Sequence, residues 1–219
     1  MHRNKVWSSN LIPILAAVLF STAAIADQIH IGRFSSSDMN GWQEKSFVEN
    51  TLYSLSQDMD KTVLKAQTSA TASGLFNEID IDLNKTPYLN WSWRVDNVYQ
   101  GNDERSKTGD DYPARVYVVV SGGLFFWKTR AINYVWSSNQ AVGTSWNNAY
   151  TGNARMLAVR SGANETGQWR REKRNIREDL KMLFDKDVSE INAVAIMSDS
   201  DNTQQSATAY YGDIFFSAE

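Results

Sequence analysis

Residues 109–138 read GDDYPARVYVVVSGGLFFWKTRAINYVWSS. The acidic opening, Gly109-Asp110-Asp111-Tyr112-Pro113, is turn-like. Pro113 cannot donate to a sheet ladder, so it marks the last loop position or the first of a strand. Residues 114–121 are a dense β-branched and aromatic run, the composition of a buried strand. Gly122-Gly123 breaks it, and 129–136 reads as a second strand. Each strand carries an arginine among apolar neighbours, Arg115 and Arg130. A charge there is costly unless it is paired or faces a wet cleft.

The flanking sequence extends this pattern. Residues 28–34 and 42–47 are short strand candidates, and 51–56 and 62–67 read as the arms of a hairpin turning at 57–61. Over 75–83, Ile79, Ile81 and Leu83 point one way, and Glu78, Asp80 and Asp82 the other. Over 88–96, Trp91, Trp93 and Val95 alternate with Asn90, Ser92, Arg94 and Asp96. A long polar loop, 97–112, precedes the quoted stretch, and 139–151 is a loop holding Trp146 and Tyr150. Further strands fall at 154–161, 191–197 and 207–216, while 167–174 is polar around Trp169. One helix is expected. Asn175 caps it with Glu178 three residues on, and Ile176, Leu180, Leu183 and Phe184 form an apolar stripe. Short strands separated by turns, with a single helix, predict an all-β fold: an antiparallel β-sandwich or jelly roll.

The chain begins with an export pattern. Arg3 and Lys5 precede an apolar run, 11–20, too short to span a bilayer. Ala24-Ile25-Ala26 is a cleavage site, so residues 1–26 read as a signal peptide and 27–219 as one domain, periplasmic or secreted. There is no cysteine. That excludes disulfides, thiolate catalysis, cysteine metal sites and a lipid attached to cysteine. The formal charge is −3, and cleavage removes two basic residues and no acid. A mildly acidic chain without a basic tract is a poor partner for nucleic acid. No second apolar segment of spanning length follows, so the protein does not read as integral to the membrane.

Several segments resemble a family of exported bacterial proteins known only as a domain of unknown function. They are Pro87-Tyr88-Leu89-Asn90-Trp91-Ser92-Trp93-Arg94-Val95, Gly109-Asp110-Asp111 with Ala114-Arg115-Val116-Tyr117-Val118, the run from Thr129 to Ser138, Glu172-Lys173-Arg174-Asn175-Ile176, and Asp199-Ser200-Asp201-Asn202-Thr203. The resemblance covers nearly all of 27–219. It implies a galactose-binding-like jelly roll and no particular activity.

The residues limit the chemistry further. Of two histidines only His30 lies beyond the signal peptide, too few for a histidine triad or a multi-histidine zinc site. Glu78-Ile79-Asp80-Ile81-Asp82 looks like the alternating carboxylates of jelly-roll β-glucanases. Retaining cleavage needs carboxyls about 5–5.5 Å apart, whereas positions i and i+4 of a strand lie roughly 13 Å apart. The short Asp82 side chain leaves that gap open, and an amphipathic strand with a solvated acidic face gives the same pattern. Asp199, Asp201 and Asn202 are oxygen ligands of the type that suits a hard cation such as Ca²⁺, and equally a turn whose side chains bond their own backbone.

A third constellation mixes arginine and aromatic residues. Period two puts Arg130, Tyr134 and Trp136 on one face of a strand. Arg115 and Tyr117 share a face of the preceding strand and are expected in the same layer, with Arg94 and Asp96 paired on a third. Rings stack on sugars, and guanidinium forks hold hydroxyls or anions. The competing reading is structural, with Arg94–Asp96 and Arg115–Asp111 as ion pairs. The function expected is a non-catalytic exported module for carbohydrate or another envelope ligand. The alternatives are a glycoside hydrolase working through Glu78, Asp80 and Asp82, and a structural envelope protein.

Overall fold

A computed structural model describes residues 28–124 and 128–219. The expected signal peptide, 1–26, and the new terminus at Asp27 lie outside the described residues. The chain forms strands β1 (Gln28–Gly32), β2 (Trp42–Val48), β3 (Leu52–Asp58), β4 (Lys61–Ser69), β5 (Ala72–Asp82), β6 (Tyr88–Val95), β7 (Ala114–Val120) and β8 (Arg130–Ser137). After these come β9 (Ser145–Asn147), β10 (Ala154–Ser161), β11 (Arg170–Asn175), helix α1 (Ile176–Phe184), β12 (Glu190–Asp199), β13 (Ser206–Tyr211) and β14 (Ile214–Ser217).

The strands make two seven-stranded sheets. The first runs β1-β14-β6-β13-β4-β3, with β11 also paired to β6. The second runs β2-β5-β12-β7-β8-β10-β9. Strand pairs are antiparallel except β8 with β10, which run parallel. The expected sandwich is therefore present, with one parallel pair inside it. No helix among the described residues is long and apolar enough to cross a membrane.

Three elements differ from the sequence reading. Residues 167–174 read as polar around Trp169 with no element assigned, and Arg170–Asn175 is a strand on β6. Its side chains have no apolar alternation to reveal it; ladder bonds and the Arg160–Glu172 ion pair hold it. The 139–151 loop contains β9, paired to β10. The single closing strand expected over 207–216 is two. β13 and β14 lie along the same side of β6 and part at Gly212, whose N–H donates to the Ser92 carbonyl at 2.9 Å. A Cβ on Gly212 would meet the Ser92 hydroxyl, which would have to turn aside, while the nearest backbone atom of Ser92 stays at ordinary contact distance, 3.8 Å.

Alternation fills the space between the sheets. Trp91, Trp93 and Val95 from β6 meet Val116 and Val118 from β7, and Ile132, Tyr134 and Trp136 from β8. Trp91 lies 5.3 Å from Tyr134 and Trp93 6.0 Å from Trp136, ring centre to ring centre. α1 adds Ile176, Leu180 and Leu183 to this core. Its cap is as expected: Asn175 Oδ1 accepts from the Glu178 N–H at 3.3 Å. A second small core of Tyr112, Val135, Trp146, Met156 and Ala158 lies on the other face of the second sheet, beneath the 97–112 and 139–151 loops.

This packing corrects the expected binding layer. β7 and β8 pair with Val116 opposite Tyr134 and Arg115 opposite Val135. Opposed residues share a face. Tyr134 and Trp136 therefore face the core, where both are fully buried, and Arg115 and Tyr117 face outward. The two sets lie on opposite sides of one sheet.

Candidate functional site

Arg115 is a buried ion-pair residue. Its Nε donates to Asp199 Oδ1 at 2.8 Å and its Nη2 to Asp199 Oδ2, while Nη2 also donates to the Asp110 carbonyl at 2.6 Å. The Tyr112 ring lies 4.3 Å from the guanidinium. The expected partner Asp111 is instead bonded by the backbone N–H groups of Asn202 and Thr203, at 3.3 and 2.5 Å. Arg115 thus pins the 110–112 segment to the end of β12. Glu104 does the same for the middle of the long loop, accepting from Ser137 Oγ and, at 2.5 Å, from the Ser138 N–H.

The proposed cation ligands sit in this region. One carboxylate oxygen each from Asp111, Asp199 and Asp201 lies within 4.8 Å of the others. Asn202 is not aimed at a shared ion: its Nδ2 donates to Asp201 at 2.7 Å and its Oδ1 accepts from Tyr150 at 2.8 Å. The ligand types still suit Ca²⁺, but the Arg115 fork already neutralises Asp199. Burial pushes Asp199 well above the usual carboxylate range, Arg115 pulls it back, and Asp111 and Asp110 push it further up. Burial also raises Asp110, Asp201 and Glu104.

Arg94 lies on the outer face of the first sheet, on the opposite side of the sandwich from Arg115. It pairs with Asp58 at 2.8 Å and with the expected Asp96 at 3.4 Å, beneath the Tyr210 ring at 4.0 Å. Arg130, at the start of β8, is half-buried with its Nη1 donating to the Lys128 carbonyl, and pairs with no carboxylate among the described residues.

The outer face of the second sheet carries an open cleft of about 640 Å³. Strand register explains it. One row across the sheet is Phe76, Ala195, Tyr117, Asn133 and Met156. The next is Glu78, Ala193, Val119, Ala131 and Ala154. Small side chains in the second row leave room above the strands. Val119 and Ala193 line the cleft, with Glu78, Asp80, Asn192 and Ser121 among its polar residues. Asn192 Nδ2 donates to Asp80 at 2.8 Å, and its Oδ1 accepts from the Ser121 N–H at 2.8 Å.

Of the acidic strand residues, Glu78 and Asp80 stand exposed at this cleft. Asp82 does not. A bulge between Ile191 and Ala193 disturbs the register there, and Asp82 turns to the end of β5, bonding the N–H and Nδ2 of Asn84, each at 2.9 Å. Tyr117 lies one row from the cleft and is held by its hydroxyl, which accepts from Arg115 Nη1 and donates to Met197 Sδ, both at 3.3 Å. Beside it Asn133 has a buried Oδ1 with no partner among the described residues. Sequence reasoning singled out Glu78, Asp80 and Tyr117 but missed Asn192, Ser121, Val119 and Asn133. The available signal was parity: with Val116 and Val118 inward, Tyr117 and Val119 must face out.

Solved structures match the chain at low identity, with TM-scores below 0.5. The family 11 carbohydrate-binding module of the cellulosomal cellulase Lic26A-Cel5E of Clostridium thermocellum is 8% identical, with a TM-score of 0.45 over 90% of this chain and 97% of that one. The family 30 carbohydrate-binding module of the Clostridium thermocellum cellulase Cel9D-Cel44B is 10% identical, with a TM-score of 0.49 over 88% and 98%. The xyloglucanase domain of NopAA from Sinorhizobium fredii is 12% identical, with a TM-score of 0.48 over 91% and 100%. No curated protein matches the chain in sequence. The family described as "Protein of unknown function (DUF3047)" matches residues 40–215, and the chain belongs to it.

Proposed function

We propose that this protein is a non-catalytic binding module for carbohydrate, exported through its N-terminal segment, and that the ligand lies in the cleft on the second sheet. The observation that carries the reading is the mixed lining of that cleft. Carboxylates, an amide and hydroxyls converge above an Ala and Val floor, with Phe76 and Tyr117 one row away. Saccharides present this chemistry in reverse, with hydroxyl donors and acceptors around apolar ring faces.

The carboxylate set also favours binding over hydrolysis. Glycoside cleavage requires two carboxyls flanking one bond. Asp82 is committed to its turn, and Asp80 already accepts from Asn192, which leaves Glu78 as the one cleft carboxylate of this strand without a donor among the described residues. The test is a glycan array probed with the parent and with Tyr117→Ala, each checked for a native melt, beside an assay for released reducing ends. Retained ligand with no release, weakened in Tyr117→Ala, is expected. Release that disappears in Glu78→Gln would replace this reading with the hydrolase.

A further inference from the structure

Five strands have a neighbour on one side alone among the described residues: β1, β2, β3, β9 and β11. An unpaired edge offers a row of free N–H and C=O groups to another chain, and folded proteins blunt it with short strands, bulges or charges. Four of the five are blunted. β1 has five residues and a bulge between His30 and Gly32. β2 has a bulge between Ser46 and Val48 and exposes Glu44 and Lys45 at its middle. β9 has three residues, and five of the six residues of β11 are charged. β3 carries none of these devices. It pairs with β4 without a break from Leu52 to Asp58 and holds no lysine, arginine or proline. Its one charge, Asp58, is turned to Arg94 at 2.8 Å and to Trp169 Nε1 at 2.5 Å on its own sheet.

The same edge is apolar. Five of the nine large hydrophobic side chains that stand exposed among the described residues fall between 47 and 59: Phe47, Val48, Leu52, Leu55 and Met59. Leu55 shows the cause. It lies opposite Leu64, which is buried in the core, yet is itself 38% exposed because no described strand lies beyond β3.

We propose that a second copy of this chain covers this edge, its β3 antiparallel to the first across a two-fold axis at Leu55. Leu55 is the middle residue of the strand, so this register pairs all seven residues. Leu55 meets the second copy's Leu55, while Ser54 meets Ser56, Tyr53 meets Gln57 and Leu52 meets Asp58, each pair occurring twice. No like charges face one another. Opposed residues of an antiparallel pair lie about 4.5–5.5 Å apart, so the two leucines carry both cores across the axis. A second copy fits because it brings an edge of equal length, equally neutral and lacking the same neighbour, and a two-fold pair leaves neither edge open. The same operation on β2 sets Lys45 against Lys45, and the bulge there breaks the register.

The mass of the purified protein is followed by sedimentation between about 1 and about 100 μM, the range of a modest interface. It should rise from one chain to two. Ser54→Lys with Ser56→Lys sets like charges opposite each other at two places and should raise the dissociation constant about a hundredfold. Ser54→Asp with Ser56→Asp should do the same, and mixing the two variants should restore a dimer of unlike copies. Lys45→Glu, on β2, should leave the parent's association unchanged. Melts at the lowest concentration check that each variant keeps its fold. A parent that stays a single chain throughout overturns the proposal. A dimer that survives both serine variants, or a mixture of the two that stays monomeric, overturns it as well, as does a dimer lost in Lys45→Glu.

Discussion

Arg115 and Asp199 close on each other where β7 meets the end of β12, both almost fully buried, with the guanidinium fork on the carboxylate. The same guanidinium holds the Asp110 carbonyl below and the Tyr117 hydroxyl beside it. One side chain thus ties the long loop to the sheet and fixes a ring next to the cleft.

Breaking that pair should be severe. Arg115→Ala leaves Asp199 buried without its counter-charge and is expected to cost about 3–5 kcal/mol. Replacing both partners, Arg115→Met with Asp199→Leu, should recover much of the loss because no charge is then stranded. Urea unfolding of the three proteins measures this. A single substitution as benign as the double one would refute the buried-pair account.

Arg130 behaves differently. It pairs with no carboxylate among the described residues and bonds a local backbone carbonyl. Arg130→Ala is therefore expected to change stability by about 0.5 kcal/mol or less. It also lies on the core-side face of β8, so ligand binding should be unaffected. A loss of several degrees in Tm would point to a partner for Arg130 in the folded protein.

Stability should depend on pH in an unusual sense. Burial raises Glu104, Asp110 and Asp199 in the folded state. A raised carboxyl binds its proton more readily folded than unfolded, so its effect is to reduce stability as pH rises from the ordinary carboxylate range through the raised value. Asp82 and Asp187 are lowered and act in the opposite sense, but Asp187 is exposed and Asp82 sits half-exposed at a turn, where solvent screens the effect. The net expectation is a higher melting temperature at mildly acidic than at neutral pH. Glu104→Gln should flatten that slope, because its amide no longer titrates. Melts across this range check both statements, and a parent melt that rises steadily toward neutral pH would contradict them.

Tyr134 tests the core. Its hydroxyl donates to Asp179 Oδ2 at 2.7 Å, and Arg174 holds the same carboxylate. Tyr134→Phe removes one hydrogen bond to a charged acceptor that keeps its arginine. The expected cost is about 1–2 kcal/mol, with no change in glycan binding, since the ring lies between the sheets. Lost binding in a variant with a native melt would place Tyr134 in the ligand site.

Local pattern made the sandwich legible. Strict alternation at Trp91, Trp93 and Val95 marks one buried face, and the β-branched run from Val116 to Val120 marks a strand, because side-chain period follows from backbone geometry alone. The capping pair Asn175 and Glu178 fixed the helix for the same reason: its donors and acceptors lie within one turn. Period two also grouped Arg130 with Tyr134 and Arg115 with Tyr117 correctly within each strand. It could not say which group faces the core. That depends on how β8 registers against β7, where a shift of one residue exchanges the faces. Asp199 shows the same limit. Its sequence neighbours suggest a cation loop, and the tertiary structure brings to the same carboxylate a guanidinium distant in sequence. The residues of the cleft come from separate strands, so sequence determined which side chains alternate, and only the pairing of strands decided which of them meet.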